Sequence, residues 1–253
     1  MNRQKPVSIS GLGCISAAGG TLPECMQNLF SCPPQPAPPS CFADAIHPVF
    51  LVPNRAFPDN DPAYSPGSRA ARLALQATKE ALDDAGLHPA LLSHKKIGVM
   101  IGTNVAGGVS NRALLPRGTG DFPEATKRKC PSPSARFLAV NPAQWIARHF
   151  NFSGPCQTIV NACSAGGDAI GLAGAWIRSG RCDMVVAGGV DAFYEVTYYG
   201  FIGLMNCDPK PCKPFDARRN GLNLGEGAGI MILESEAMLS SRGKRAKAHL
   251  AGY

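Results

Sequence analysis

Two short runs of consecutive apolar residues constrain the fold of this chain more than any other feature. One lies within 96–103, with the sequence IGVMIG, and the other begins at Met184, with the sequence MVVA. A strand that is apolar at successive positions is buried on both faces and needs helices above and below the sheet. Apolar residues at helical spacing over 68–85, ended by Gly86, precede the first run. This order predicts an α/β layered fold with a largely parallel sheet.

Capping signals and weaker apolar runs complete the pattern. Thr21 and Glu24 form a Thr-x-x-Glu capping box for a short helix that ends near Phe30. Asn141 followed by proline is typical of the start of another helix. The remaining predicted elements are strands that begin at Val7 and lie at 158–160, 230–233 and 248–251, and helices at 164–179 and 235–242.

Residues 31–66 are rich in proline and predict an irregular loop with one short strand around 50–52. Nothing in this insertion indicates a separate domain, and the sequence has no internal repeat. We therefore expect residues 1–253 to form one domain with an irregular insertion.

Composition limits the cellular compartment, the partners and the bound groups that we expect. The net charge of +7 favours an acidic partner. No apolar run reaches the roughly 18 residues of a membrane span, so a cytoplasmic protein is expected. The 10 cysteines include no Cys-x-x-Cys pair, which argues against a disulfide framework and a zinc site. Cys207 and Cys212 could together contact a metal, but the sequence favours no metal site and no cofactor.

Cys163 is the candidate catalytic residue. An apolar strand ends at Val160, the chain turns through Asn161 and Ala162, and a helix begins directly after the cysteine. Unpaired N–H groups and the helix dipole favour a thiolate at such a point, and the same N–H groups can bind an oxyanion. The alternative is that Cys163 is one more small buried cysteine.

The helix after Cys163 contains four glycines, Gly166, Gly167, Gly171 and Gly174. Each costs about 1 kcal/mol of helix stability relative to alanine. We expect close backbone packing, in the centre of the domain and against the sheet, to offset this loss.

Six segments together resemble one family. They are ISGLGCIS (9–16), ALDDAGL (81–87), IGVMIGT (97–103), VNACSAGGDAIGLA (160–173), DMVVAGGVD (183–191) and PFDARRNGLNLGEGAG (214–229). In this order they closely resemble the β-ketoacyl synthases of the thiolase superfamily, from about residue 6 to residue 253. The resemblance implies the N-terminal half of a thiolase-like fold, with helices packed on a mostly parallel five-stranded sheet.

The resemblance also implies a condensing enzyme of fatty acid or polyketide synthesis. In that family the cysteine, here Cys163, takes an acyl group from an acyl carrier protein thioester. A malonyl thioester then loses CO2, and its carbanion attacks the acyl-cysteine. Val105 and Phe201 match positions that wall or gate the acyl pocket. Asp216 and the glycines of 225–229 match a motif that supports the fold.

Two catalytic histidines of the family lie in the C-terminal half, and none of the five histidines of this chain replaces them by motif. We therefore expect that half to lie outside residues 1–253. Three roles stay open: a synthase half that acts with a complementary chain, a non-catalytic partner subunit or fragment, and a protein that only transfers acyl groups. The retained cysteine speaks against the partner role, because partner subunits of the family lose it.

Basic residues suggest a carrier-docking surface. The resemblance places Lys127, Arg128 and Lys129 where the family binds its acidic carrier protein, and Arg69 and Arg72 can extend the patch. The alternative for 127–129 is a solvated loop. Nucleic acid is not expected, because no aromatic residues interleave with the charges. The resemblance further implies a homodimer that pairs strands near 157–160.

Overall fold

A computed structural model describes residues 5–40, 45–53, 69–88, 92, 96–104 and 141–253. In these ranges the strands are β1 (Val7–Ser16), β2 (Ile97–Gly102), β3 (Cys156–Ile159), β4 (Met184–Asp191), β5 (Gly227–Ser235) and β6 (Ala248–His249). The helices are α1 (Leu22–Ser31), α2 (Arg69–Asp84), α3 (Pro142–His149), α4 (Ala165–Arg178), α5 (Glu195–Gly203) and α6 (Glu236–Ser241). Val105 and Lys127, Arg128 and Lys129 lie outside the described residues.

The described strands form one 6-stranded sheet in the order β3-β2-β4-β5-β1-β6. β2 pairs in parallel with β3 and β4, whereas β5 runs antiparallel to β4 and β1, and β6 antiparallel to β1. The predicted α/β layered class is confirmed. The sheet is more mixed than expected and one strand wider, because strand direction leaves no trace in an apolar run and β6 adds only a two-residue pairing at one edge.

Helices cover both faces of the sheet, as the apolar runs predicted. Val99 and Val186 face a core that includes residues of α2 and α3. Met100 follows Val99 on β2, and Val185 precedes Val186 on β4. Both face a second core that includes residues of α4. Alternate residues of the same strand are therefore buried on opposite sides, which explains why β2 and β4 are apolar at successive positions.

Local signals fix the ends of several helices. The Thr21 side chain accepts a hydrogen bond from Glu24 N at 3.3 Å, and Asn141 Oδ1 accepts one from Gln144 N at 3.1 Å. Gly86 has a φ of 66°, the left-handed conformation expected after the end of α2. These three features confirm the predicted helix boundaries to within a residue or two.

The expected strand at 50–52 does not form. Val49 instead makes an isolated bridge with Ala37, and Phe50 makes one with Gly225. Helix α5, in contrast, was not anticipated, because its sequence EVTYYGFIG is apolar on all sides and shows no helical periodicity. Among the described helices, none is long and apolar enough to cross a lipid bilayer.

Candidate active site

Cys163 lies at the turn between β3 and α4, as the sequence predicted. Residues Ala162–Ser164 form a single 3-10 turn that leads directly into α4. Ala162 has a φ of 49°, a left-handed conformation that costs a residue with a β-carbon about 1–2 kcal/mol. The Cys163 side chain is exposed. The alternative of a buried packing cysteine is therefore wrong, and a strained turn presents the thiol to solvent.

Side chains on both sides of Cys163 are hydrogen-bonded to each other. Asn161 Nδ2 donates to Ser164 Oγ at 2.8 Å and to Asp168 Oδ2 at 2.6 Å. Ser164 Oγ lies 2.9 Å from the same Asp168 oxygen. The turn that carries the thiol is thus tied to the first turn of α4 by a side-chain carboxylate.

An open cavity of about 490 Å³ lies beside the thiol. Its wall is contributed by the ends of β2 and β4, the start of α4 and the glycine-rich segment at the start of β5, and it is rich in glycine. The lining residues include Cys163, Gly102, Thr103, Gly166, Gly189 and Gly225. Glycine in the wall lets a substrate approach the backbone closely. The Ala162 and Cys163 N–H groups, at the start of a helical turn, have no acceptor within that turn and can bind an oxyanion.

Close packing between strand and helix sets the position of α4. A β-carbon on Gly102 of β2 would overlap the carbonyl oxygen of Ala165, the first residue of α4. A β-carbon on Gly189 of β4 would come within 3.3 Å of Gly166 Cα. The start of α4 therefore rests directly on the ends of β2 and β4, and this contact places Cys163 at the edge of the cavity.

The glycines within α4 only partly follow the expectation of close packing against the sheet. Gly171 and Gly174 do face close neighbours, but these are Tyr253 and Leu250 rather than a strand. A β-carbon on Gly167 would meet no atom within 4 Å. Gly166 does face the sheet, since an added β-carbon would lie 3.8 Å from Gly189 Cα, but the tightest contacts between helix and strand are made by Gly102 and Gly189 of the strands.

Asp191, at the end of β4, is a site residue that sequence reasoning did not single out. Its carboxylate accepts hydrogen bonds from Thr103 Oγ1 at 2.9 Å and from Asn104 N at 2.8 Å, and it lines the cavity. Burial raises the pKa of Asp191, and the two hydrogen bonds oppose this shift. The sequence placed Asp191 only at the end of the family-like segment 183–191, and the parallel pairing of β2 with β4 is what brings it to Thr103 and Asn104.

Phe201 of α5 lines a second cavity of about 150 Å³. The two cavities share Asn104, Asp191 and Gly225 as wall residues. The structure therefore places Phe201 one residue layer away from the space beside Cys163. That it contacts an acyl chain stays a prediction.

Arg69 and Arg72 are at the start of α2, and Arg69 has an intramolecular partner. Its guanidinium donates to both oxygens of Glu226, with Nε to Oε2 at 2.7 Å, and to Val52 O at 2.8 Å. The Glu226 side chain is fully buried and also accepts from Val52 N at 2.9 Å and Phe193 N at 3.2 Å. The ion pair thus connects α2, the segment before it and the glycine-rich segment that lines the cavity.

Two other thiols, those of Cys14 and Cys156, are partly buried, unlike the exposed Cys163. Burial, followed by the nearby Cys25 thiol, raises the pKa of Cys14 to about 12, and burial raises the pKa of Cys156 to about 11. Within the described residues no group of three or more His, Cys, Asp or Glu side chains could hold a metal, and no described histidine lines the cavity.

The fold and the site define a thiolase-like domain with an exposed cysteine at a strand-to-helix turn. Comparison with known proteins gives the family. The family model described as the N-terminal domain of β-ketoacyl synthase matches residues 45–238. The chain belongs to the β-ketoacyl synthase family.

Individual relatives agree. The chain is 32% identical, over 195 residues, to the ketoacyl synthase alpha subunit of the tetracenomycin polyketide synthase of Streptomyces glaucescens, covering 73% of this chain and 46% of the relative. It is 28% identical to 3-oxoacyl-acyl-carrier-protein synthase 2 of Synechocystis sp., covering 99% of this chain and 62% of that protein. The ishigamide ketosynthase/chain length factor structure matches with a TM-score of 0.79 and 27% identity, covering 99% of this chain and 63% of that one. The chain thus spans about half to two thirds of these relatives.

Proposed function

We propose that this chain is the acyl-accepting part of a condensing enzyme, with Cys163 as the nucleophile. The observation that carries the proposal is the exposed thiol on a strained turn at the edge of a glycine-lined cavity. The thiolate would attack the carbonyl carbon of an acyl thioester, the Cys163 N–H would bind the oxyanion, and the carrier thiol would leave. Phe201 and Val105 would contact the acyl chain.

The condensation that follows needs groups that the described site does not contain. Loss of CO2 from a malonyl thioester and attack of its carbanion on the acyl-cysteine require general acid-base and oxyanion groups, each worth orders of magnitude in rate. We propose that further polypeptide, in the same chain or in a separate subunit, supplies them. Residues 1–253 would then form one N-terminal domain, with acyl transfer as its own share of the reaction.

Charge supports an acidic acyl carrier protein as partner. The net charge of +7 favours association with an acidic surface, and Lys127, Arg128 and Lys129 are its densest basic run. Arg72 would extend the patch. Arg69, which also pairs with Glu226, would extend it too. In the described sheet β3 is an edge strand, which suits dimerisation by strand pairing near 157–160. The free thiols suit the reducing cytoplasm.

The test is acylation of the protein itself. The chain would be incubated with an acyl carrier protein loaded with an acyl thioester, and the adduct would be located by intact mass and peptide mapping. We expect one acyl group on Cys163, loss of the adduct in Cys163→Ala and no loss in Cys32→Ala, which removes another exposed thiol. A malonyl thioester should release little CO2 with this chain alone. An unmodified Cys163 would refute the proposal and favour the non-catalytic partner role.

A further inference from the structure

The last residues of the chain dock along the helix that begins after Cys163. Leu250 N donates to Val7 O at 2.9 Å, and the Leu250 side chain packs against the core under α4. A β-carbon on Gly174 would come within 2.7 Å of Leu250 Cδ2, and one on Gly171 would overlap the Tyr253 ring. Leu250 and Tyr253 can therefore pack on α4 only because positions 171 and 174 have no side chain.

The carboxylate of Asp168 connects Tyr253 to the turn that carries Cys163. Its hydroxyl donates to Asp168 Oδ1. The other oxygen, Oδ2, accepts from Asn161 Nδ2 at 2.6 Å and lies 2.9 Å from Ser164 Oγ. Asn161 precedes the 3-10 turn of Ala162–Ser164, and Ser164 is its last residue. Asp168 thus joins residues 250–253 to both ends of the turn that carries Cys163.

The turn needs such external support. Ala162 is left-handed with a φ of 49°, and neither Asn161 before the 3-10 turn nor Ser164 before α4 caps a backbone N–H with its side chain. Hydrogen bonds from Tyr253, then Asn161 and Ser164, lower the pKa of Asp168 and keep it an ionised acceptor.

We propose that Asp168, held in place by Tyr253, is a positioning residue that fixes the Ala162–Ser164 turn. The fixed turn aligns the Cys163 thiol and the adjacent N–H groups on one carbonyl, so docking of residues 250–253 governs acyl transfer. This inference rests on the acyl-accepting function proposed above. Misalignment by even about 1 Å costs large factors in rate, which makes a positioning residue detectable.

Three variants of the full chain separate positioning from charge and from helix stability. Asp168→Ala removes both acceptor oxygens, Asp168→Asn keeps one, and Tyr253→Phe keeps the ring on Gly171 but removes the hydroxyl. The matched control is Glu236→Ala, which removes an acidic residue from the first turn of α6. Each protein would be measured for acyl transfer from an acyl-phosphopantetheine thioester, for alkylation by iodoacetamide, and for amide hydrogen exchange over 161–166.

We expect Asp168→Ala to slow acyl transfer about tenfold and Tyr253→Phe about threefold, while alkylation changes less than about threefold because it forms no oxyanion. Amide exchange over 161–166 should rise in both. Asp168→Asn should recover at least about half of the native acyl-transfer rate, since one acceptor remains. Glu236→Ala should resemble the native chain in all three measurements.

Native-like acyl transfer and exchange in Asp168→Ala would overturn the proposal, and so would an Asp168→Asn variant as impaired as Asp168→Ala. If iodoacetamide also labels buried Cys25 and Cys182 in Asp168→Ala, that variant has lost its fold, and Tyr253→Phe decides. If native Cys163 accepts no acyl group, the proposed function fails, but amide exchange in the same variants still decides whether Asp168 holds the turn.

Discussion

The ion pair between Arg69 and Glu226 allows a quantitative prediction, the loss of stability in Arg69→Met. The substitution keeps most of the apolar stem but leaves the fully buried Glu226 carboxylate without its cation. Breaking a buried pair in this way costs about 3–5 kcal/mol. The Arg69 side chain is 31% exposed, and Val52 N and Phe193 N still donate to the carboxylate, so we expect about 2–3 kcal/mol. At about 2–4 °C per kcal/mol, Tm should fall by about 4–12 °C.

Urea unfolding and thermal scans would measure this loss, with Arg218→Met as the control. Arg218 also pairs with a carboxylate, with its Nε 3.6 Å from Asp216 Oδ1, but its side chain is 87% exposed. This pair should contribute less than about 1 kcal/mol to stability. Adding Glu226→Gln to Arg69→Met should restore part of the stability, because no buried charge then lacks a partner. A loss below about 1 kcal/mol in Arg69→Met would refute the reasoning.

Three further predictions concern the strand–helix contact, a titrating group and the thiols. Gly102→Ala should push α4 off β2 and cost about 1–3 kcal/mol in urea unfolding, whereas Gly229→Ala, whose β-carbon would meet nothing within 4 Å, should cost less than about 1 kcal/mol. Burial raises the folded-state pKa of Asp191, so the native state holds that proton more tightly than the unfolded state. Its ionisation therefore lowers stability as pH rises from the unfolded towards the folded pKa, and unfolding measured between pH 4 and 7 should lose this component in Asp191→Asn; an unchanged pH profile would contradict this. Iodoacetamide at pH 8 should label Cys163 at least about 100-fold faster than Cys14, because a pKa of about 12 leaves about one Cys14 thiol in ten thousand ionised. Comparable labelling rates would contradict the burial of Cys14.

The sequence predicted those elements whose signals are local. The side chains of Thr21 and Asn141 cap their helices by hydrogen bonds to the N–H group three residues further along the chain. The apolar runs of β2 and β4 indicate burial on both faces of the sheet. α5 escaped prediction because an apolar helix has no periodicity, and the antiparallel direction of β5 escaped because an apolar run is the same in either direction.

The candidate site divides in the same way. Cys163 and its turn could be read from the sequence, since a strand end, a short turn and a glycine-rich helix are contiguous. The contacts of Asp191 could not, because its partners Thr103 and Asn104 lie 88 and 87 residues away and meet it only through the pairing of β2 with β4. Phe201 was placed by family resemblance alone, and the structure gives it a cavity adjoining that of Cys163.

The sequence by itself determined the layered α/β class, the position of Cys163 at a strand-to-helix turn and the surplus of positive charge, because each depends on neighbouring residues or on composition. Only the tertiary structure decided which distant groups meet. Arg69 pairs with Glu226 across 157 residues rather than standing ready for a partner, and Tyr253 meets Asp168 across 85 residues. Such contacts are set by the order of strands in the sheet and by the helix that packs on it, and no local pattern of side chains encodes that order.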